Sequence, residues 1–552
     1  MLGVSSVSAH EGRGRASTTA AARAPVSASE EADGSGDHGG EIHDADGRRS
    51  ARTRLLLAGL SWNVVGQFAV VGISLGLTPF LLTHLGATQY GIFALASSLR
   101  GFLSNLDGGL GPTGYRYLPV YVGAGDVRST TSLVVTMLSL VVLVVGAIAL
   151  TFFLIAPLLV SAFSVGSGLA TYAHETTYAI RSLMPALLIA ALRTPLQRLV
   201  MAHHRWAFVS YTQVIAFLAY ATIAVTLAGM THGIECLIWG TYAQEFVLTV
   251  VTLSECRHYV SFAGVRWLPR NEVRSMLGFG AKVQVAALAS SLNFEVNALL
   301  VGAFFPVRDI AYYSIGANFS QQVINLPITG LNPIMQDVGR TYGAEGRDGV
   351  LRSFAGAQRS WVRALGVFPL LAALVGWFGI PLWLGHNPPV APATATILIL
   401  GTTPLLYNSL VDVTAKILEM PGIESWYLGV GVVLSLACSI PLALTIGVLG
   451  IPIGTASGQV TSLFVCIYLA RRRIAGDLPS FIGAVDYAAA LAAVALAVPL
   501  EICVSPSLPT GAVGLVGSGL LTLPAFGVYY LWAYRSAVVA RIRHVTAERS
   551  TI

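Results

Sequence analysis

The Lys and Arg residues that flank hydrophobic stretches of this chain fall on one alternating side, with Arg308 as the exception. Only 11% of the 552 residues are charged and 54% are hydrophobic, whereas a soluble domain is typically about 25% charged. A chain this long and apolar requires lipid as the solvent for most of its surface. Positively charged loops stay in the cytoplasm, so both termini are predicted to be cytoplasmic, which requires an even number of spans.

We expect an all-α, polytopic membrane protein of about fourteen transmembrane helices, because about 20 apolar residues cross a bilayer and backbone groups in lipid need internal partners. The predicted spans cover roughly 55–83, 89–114, 131–161, 177–201, 208–230, 236–255, 273–304, 309–335, 360–384, 392–418, 426–447, 451–470, 484–504 and 512–534. The basic loops explain the net charge of +6, so it does not indicate nucleic-acid binding.

An internal repeat organises these spans. At an offset of 221 residues, Gly109-Leu110-Gly111-Pro112 aligns with Gly330-Leu331-Asn332-Pro333. Both motifs lie at the cytoplasmic end of the second helix of a six-helix block, and an even helix number gives both blocks the same orientation. We therefore expect two six-helix lobes related as a parallel repeat, with two peripheral C-terminal helices.

The predicted boundaries follow from this repeat. They are a disordered cytoplasmic tail (1–52), an N-terminal lobe (53–256), a linker (257–272), a C-terminal lobe (273–473), two peripheral helices (474–536) and a second tail (537–552). No loop is long enough for a catalytic domain, so we do not expect an enzyme. The five cysteines have no paired spacing, which favours neither a metal site nor a disulfide framework, and no cofactor is expected.

Polar side chains are concentrated in the first, second, seventh and eighth spans. Ionisable groups in a span are costly and tend to face the bundle interior or water, although amides also hold helices together. We expect a transport path between these spans, with Arg193 of the fourth span nearby. The candidate residues are Asn63, Gln67, Arg100, Asp107, Arg193, Lys282, Asn293, Glu295, Asn318 and Gln322.

The segment from Asn63 to Asp126 resembles the N-terminal region of polysaccharide flippases, a branch of the multidrug/oligosaccharidyl-lipid/polysaccharide (MOP) exporter superfamily. The matching residues are Asn63, Pro79, Leu85-Gly86, Tyr90-Gly91, Asp107-Gly108-Gly109-Leu110-Gly111 and Gly125-Asp126. The strong match covers about 65 residues, and the expected two-lobe arrangement extends over 55–535.

The resemblance implies transport of an undecaprenyl-diphosphate-linked oligosaccharide from the cytoplasmic to the outer leaflet of the cell membrane, by alternating access between two lobes. Arg100 and Lys282, one from each lobe, would bind the diphosphate, with Arg193 as a further substrate-binding residue. Amides would meet the glycan, and either Asp107 or Glu295 would couple transport to protons or sodium. The amides are Asn63, Gln67, Asn293, Asn318 and Gln322. Polysaccharide polymerase and glycosyltransferases would be partners, besides membrane lipids.

Other functions remain open at this stage. A MATE-like drug/cation antiporter of the same superfamily would favour an acidic, aromatic cavity, and a lipid II flippase would differ only in its glycan. A membrane scaffold that recruits partners through its tail is a candidate from another class. Asp412 and Lys416, four residues apart, are interpreted as an intrahelical ion pair.

Overall fold

The computed structural model describes residues 38–535 except 168, 232, 262–266, 330, 389, 419, 421 and 474–483, and it leaves some helical side chains in that range undescribed, including those of 38–64. Most of the predicted N-terminal tail and all of the predicted C-terminal tail therefore lie outside the described residues. The described residues from Leu56 onward form one compact unit, and residues 38–55 are helical.

The described chain consists of helices, without strands. They are His38–Ser104 (α1), Leu110–Gly123 (α2), Val127–Ser167 (α3), Ala173–Ala202 (α4), Trp206–Thr231 (α5), Glu235–Cys256 (α6), Arg270–Phe304 (α7), Val307–Thr329 (α8), Leu331–Leu365 (α9), Phe368–Leu384 (α10), Ala391–Ile417 (α11), Gly422–Ile446 (α12), Gly450–Arg473 (α13), Ala484–Val504 (α14), Ala512–Leu521 (α15) and Leu523–Ala533 (α16). Short 3₁₀ turns lie at Leu169–Tyr172 and Ser505–Ser507. This architecture confirms the all-α prediction.

Eleven stretches of the described chain are long and apolar enough to cross a membrane, which confirms a multi-pass membrane protein. One of them, Val65–Ser104, passes through a kink at Gly86 (φ 78°) and so contains parts of the first two predicted spans. The seventh and eighth predicted spans correspond largely to α7 and α8, which are not among the eleven. Polar residues lower the hydropathy of α8, and several side chains of α7 lie outside the described set. The number fourteen and the two-lobe layout therefore stay predictions.

Two matching bends occur at the 221-residue offset. Leu110 begins α2 and Leu331 begins α9. Gly125, between α2 and α3, has φ 71°, and Gly346, inside α9, has φ 66°. Because L side chains rarely adopt this left-handed backbone, glycine is the residue expected at both bends. The local backbone thus agrees with the repeat in the sequence.

The second half of α1 packs along α7 and α8 through small residues. Gly91 lies against the backbone of Val307. Further along α1, Leu95 contacts Gly302 of α7. Without a hydrophobic force between helices in lipid, close packing of this kind stabilises a bundle.

The same packing continues past the end of α1. Gly109, at the start of α2, lies directly against Gly280 of α7. From Gly91 to Gly109 the chain therefore contacts first the start of α8, at Val307, and then α7, at Gly302 and Gly280.

Candidate functional site

A cavity of about 710 Å³ lies between α1, α7 and α8, with Leu398 of α11 at its edge. Its described lining is rich in hydroxyl and amide groups. These come from Ser97, Ser98, Asn105, Ser291, Asn297, Ser314, Asn318, Ser320 and Gln321. Three aromatic residues, Tyr90, Phe93 and Tyr313, also line it. The lining can therefore donate and accept many hydrogen bonds and can also stack against a ring.

Glu295 of α7 supplies the one carboxylate among the described lining residues. Ser98 is its hydrogen-bonding neighbour, and Arg100 lies close enough to interact with it electrostatically. A side chain at Gly101 would place its Cβ 2.7 Å from the Glu295 Oε1 atom. Because Gly101 has no side chain, there is room for the Glu295 carboxylate beside α1. Gly101 lies in the second predicted span and Glu295 in the seventh, two spans that the sequence analysis expects to be close together.

Behind the cavity, three charged side chains meet inside the helices of the first half of the chain. Arg100 Nη1 lies 3.4 Å from Glu245 Oε1, and Arg193 Nη2 lies 3.5 Å from Glu245 Oε2. Arg193 Nη1 also donates a hydrogen bond of 2.6 Å to Gln197 Oε1. The structure thus brings together two predicted arginines through Glu245 of α6, and Arg100 itself is not a lining residue of the cavity.

Two of the predicted amides connect α1 to α8. Gln67 Nε2 donates to Gln322 Oε1 over 3.2 Å. Asn318, one turn from Gln322, lines the cavity. These residues occupy the region expected from the sequence, and their role in binding a substrate stays a prediction.

Three predicted site residues have side chains outside the described set. They are Asn63 in α1, and Lys282 and Asn293 in α7. Their backbones are helical, as expected. The predicted pairing of Arg100 with Lys282 at one diphosphate is therefore not tested.

Asp107 has a clear local role. Its carboxylate accepts hydrogen bonds from the backbone N–H groups of Gly109 (2.9 Å) and Gly111 (2.7 Å). Such acceptors satisfy the free donors at the start of a helix. Asp107 therefore caps α2, and the Asp-Gly-Gly-Leu-Gly run combines this cap with the close approach of Gly109 to Gly280.

The predicted ion pair between Asp412 and Lys416 is wrong. Lys416 Nζ instead contacts the Glu424 carboxylate at 3.0 Å. The Tyr427 hydroxyl donates to Asp412 Oδ2 over 2.6 Å. Both new partners belong to α12, so these polar groups connect helices α11 and α12 rather than successive turns of one helix.

Glu245 is the main residue that the sequence analysis missed. It is the most buried member of its cluster, with 5% of its side chain exposed. The available signal was a lone carboxylate inside the sixth apolar span, which the rule for ionisable residues in spans would have selected. Its partners could not be read from the sequence, because Arg100 is 145 residues away.

A family described as "Polysaccharide biosynthesis protein" matches residues 123–342. No protein of curated function matches the sequence.

Solved structures with a similar fold are transporters and flippases. An inward-facing multidrug-resistance MATE transporter of the MOP superfamily has a TM-score of 0.59 at 14% identity, over 74% of this chain and 98% of its own. The lipid II flippase MurJ, in an inward closed conformation, has a TM-score of 0.64 at 12% identity, over 88% and 100%. The MATE transporter VcmN of Vibrio cholerae has a TM-score of 0.55 at 15% identity, over 77% and 98%.

These likenesses show the fold, which is similar to that of transporters of the MOP superfamily. Within that class, the sequence match is to the polysaccharide biosynthesis family. This match confirms the resemblance to polysaccharide flippases, and it does so on residues that are mostly different from the Asn63–Asp126 segment.

Proposed function

We propose that the protein moves an undecaprenyl-diphosphate-linked oligosaccharide from the cytoplasmic to the outer leaflet of the cell membrane. The observation that carries this proposal is a cavity lined by hydroxyl and amide groups, with two arginines behind it. Sugar hydroxyls both donate and accept hydrogen bonds, as do the Asn318 and Gln321 amides of the lining. The match to a polysaccharide biosynthesis family supports a glycan as the cargo.

The diphosphate would be held by the cationic side chains. Arg100 and Arg193 offer planar guanidinium groups, which bind phosphate in a bidentate fashion, and Lys282 adds a point charge from α7. The polyprenyl tail would stay in lipid at a lateral gap between the two predicted lobes. Asn63, Gln67, Asn293 and Gln322 would extend the glycan-binding surface.

Transport would proceed by alternating access, in which the lobes rock about the cavity. Gly91 of α1 contacts Val307 at the start of α8, and Gly109, before α2, contacts Gly280 of α7. These contacts would separate in turn as each side opens. Glu295, in the cavity wall, is the better placed of the two candidate coupling carboxylates, because Asp107 is engaged by backbone donors.

Flipping of a fluorescent short-chain polyprenyl-diphosphate oligosaccharide in proteoliposomes tests the proposal. The Arg100→Ala and Lys282→Ala variants should each slow flipping on the order of tenfold to hundredfold, since a hydrogen bond to a charged group contributes roughly 1.5–3 kcal/mol. Arg181→Ala is the matched control, because Arg181 Nε donates to the Phe153 carbonyl oxygen on the outer part of α3. Wild-type flipping rates in both test variants would refute the assignment.

A drug/cation antiporter is the second candidate, favoured by the Glu295 carboxylate beside Tyr90, Phe93 and Tyr313. This combination suits an organic cation, through charge and through the faces of aromatic rings. Export of an ethidium-like dye that is lost on Glu295→Gln, without any flipping of lipid-linked glycan, would support it over our proposal. Flipping of lipid II alone, among several lipid-linked glycans, would identify a lipid II flippase.

We place the protein in the cell (inner) membrane with both termini in the cytoplasm, as the loop charges predict. A polysaccharide polymerase and glycosyltransferases would act on the same lipid-linked glycan and are its expected partners. Cysteine residues introduced near the two chain ends would test the orientation, because only the cytoplasmic side should shield them from an impermeant thiol reagent added to intact cells.

A further inference from the structure

Glu245 of α6 is shared by two arginines that come from different helices. Its Oε1 atom faces Arg100 of α1 and its Oε2 atom faces Arg193 of α4. Its side chain is 5% exposed, whereas 26% of the Arg100 side chain is exposed. The carboxylate is therefore enclosed, while part of the Arg100 side chain remains exposed.

Both ion pairs are long. Their N···O distances are 3.4 and 3.5 Å, whereas charge-assisted hydrogen bonds between guanidinium and carboxylate are about 2.7–2.9 Å. The Arg193 Nε atom is buried and makes no hydrogen bond within the described part of the chain, and Glu245 Oε2 accepts none there. An unsatisfied buried donor is costly. Glu245 therefore leaves part of the hydrogen-bonding potential of the two arginines unused.

Positive charges also outnumber negative charges in this cluster. One carboxylate contacts two guanidinium groups, and Arg193 and Arg100 repel each other. Glu295 interacts with Arg100 from the cavity side but does not form a close ion pair with it. A phosphate oxygen that entered beside Arg100 would thus find positive charge that the neighbouring carboxylate compensates only in part.

We propose that Glu245 is a positioning residue that acts as an exchangeable counter-ion. It holds Arg100 and Arg193 in place while the site is empty, and phosphate oxygens of the cargo then replace it as their principal partner. This inference rests on the proposed function and deepens it. Competition from Glu245 weakens binding of the diphosphate and thereby speeds its release.

Equilibrium binding of farnesyl diphosphate to the full-length protein in nanodiscs tests this inference. Glu245→Gln preserves shape and removes the competing charge, so affinity should rise about tenfold and dissociation should slow by a similar factor, given Coulomb interactions at these distances. Glu245→Asp keeps the charge but shortens its reach, so affinity should rise about threefold by the same reasoning. A residue that only stabilised the fold would weaken binding in both variants.

Glu501→Gln is the matched control. Glu501 is also fully buried, and its carboxylate accepts a 2.8 Å hydrogen bond from the Ser518 hydroxyl in the peripheral helices. This variant should bind like wild type, and farnesol, which has no phosphate, should bind all variants equally. If Glu245→Gln misfolds, Glu245→Asp still decides the question, because it retains the charge that pairs with both arginines.

The outcomes separate this inference from the proposed function. Equal or weaker binding by the Glu245 variants, with binding lost in the double variant Arg100→Ala/Arg193→Ala, overturns the counter-ion role and leaves the diphosphate site intact. Unchanged binding in that double variant overturns both the site and the role of Glu245. Tighter binding with slower release supports the inference.

Discussion

Replacement of Gly109 by Ala tests the contact between the start of α2 and α7. Gly109 has φ 76°, and a Cβ atom at this position would overlap the carbonyl group of Gly280. The neighbouring Gly108 has nearly the same backbone, with φ 70°, but a Cβ atom there would meet nothing within 4 Å. The two glycines therefore share their conformational requirement and differ in how closely another helix approaches.

The magnitude follows from these two contributions. A left-handed backbone costs a non-glycine residue roughly 1–2 kcal/mol, and this applies to both variants. Overpacking in a close contact adds roughly 1–3 kcal/mol, and this applies only to Gly109→Ala. We therefore expect Gly108→Ala to destabilise by roughly 1–2 kcal/mol and Gly109→Ala by about 2–5 kcal/mol.

The reciprocal substitution on α7 removes the backbone strain from the comparison. A Cβ atom at Gly280 would lie 2.9 Å from the Gly108 carbonyl oxygen and 3.0 Å from that of Gly109. A Cβ atom at Gly278, two residues earlier, would meet nothing within 4 Å. Gly278→Ala should be neutral or stabilising because alanine favours helix, whereas Gly280→Ala should destabilise.

Thermal unfolding of the purified protein in detergent, followed by intrinsic fluorescence at a fixed scan rate, provides the measurement, since apparent transition temperatures depend on scan rate. The expected order of transition temperatures places Gly109→Ala below Gly108→Ala, and Gly280→Ala below Gly278→Ala. Equal transition temperatures within each pair would show that the approach of these helices contributes nothing to stability and would refute the reasoning.

Two further predictions concern buried polar contacts. Tyr427→Phe removes the hydroxyl that donates to Asp412 and should lower stability by about 1–3 kcal/mol, while Tyr468→Phe, at a side chain that is 60% exposed, should change little in the same unfolding assay. A double-mutant cycle on Gln67→Ala and Gln322→Ala should give a coupling energy of about 0.5–1.5 kcal/mol from their hydrogen bond, and strict additivity of the two substitutions would contradict that contact.

Much of the fold follows from the sequence because lipid restricts the structures available to it. Apolar stretches of sufficient length have to be helices, and the predicted spans fall mostly within helices of the structure. The predicted spans 89–114 and 360–384, however, run across the ends of α1 and α9. The kink at Gly86 could not be located from hydropathy, since it leaves the composition of Val65–Ser104 unchanged. The helical turns before the first predicted span, from His38 onward, carry charged residues and thus gave no apolar signal.

The site was predictable only where one helix face carries several polar residues. Periodic spacing identified α8, whose Asn318 lines the cavity, and it placed Gln67 and Gln322 on facing helices. Spacing within one helix says nothing about partners on another, so the role of Glu245 between two arginines required the tertiary structure. For the same reason Asp412 was paired with a residue of its own helix, although its partner is Tyr427 of α12.

The left-handed glycines at 125 and 346 allow the two repeated segments to be compared position by position. Both glycines have a similar positive φ, yet the same 221-residue offset sets Arg100 opposite Gln321 and Ser74 opposite Glu295. Two facing lobes that kept these bends while differing in charge would present unlike surfaces to whatever lies between them. An asymmetric molecule, charged at one end and neutral at the other, would therefore be bound in a single direction.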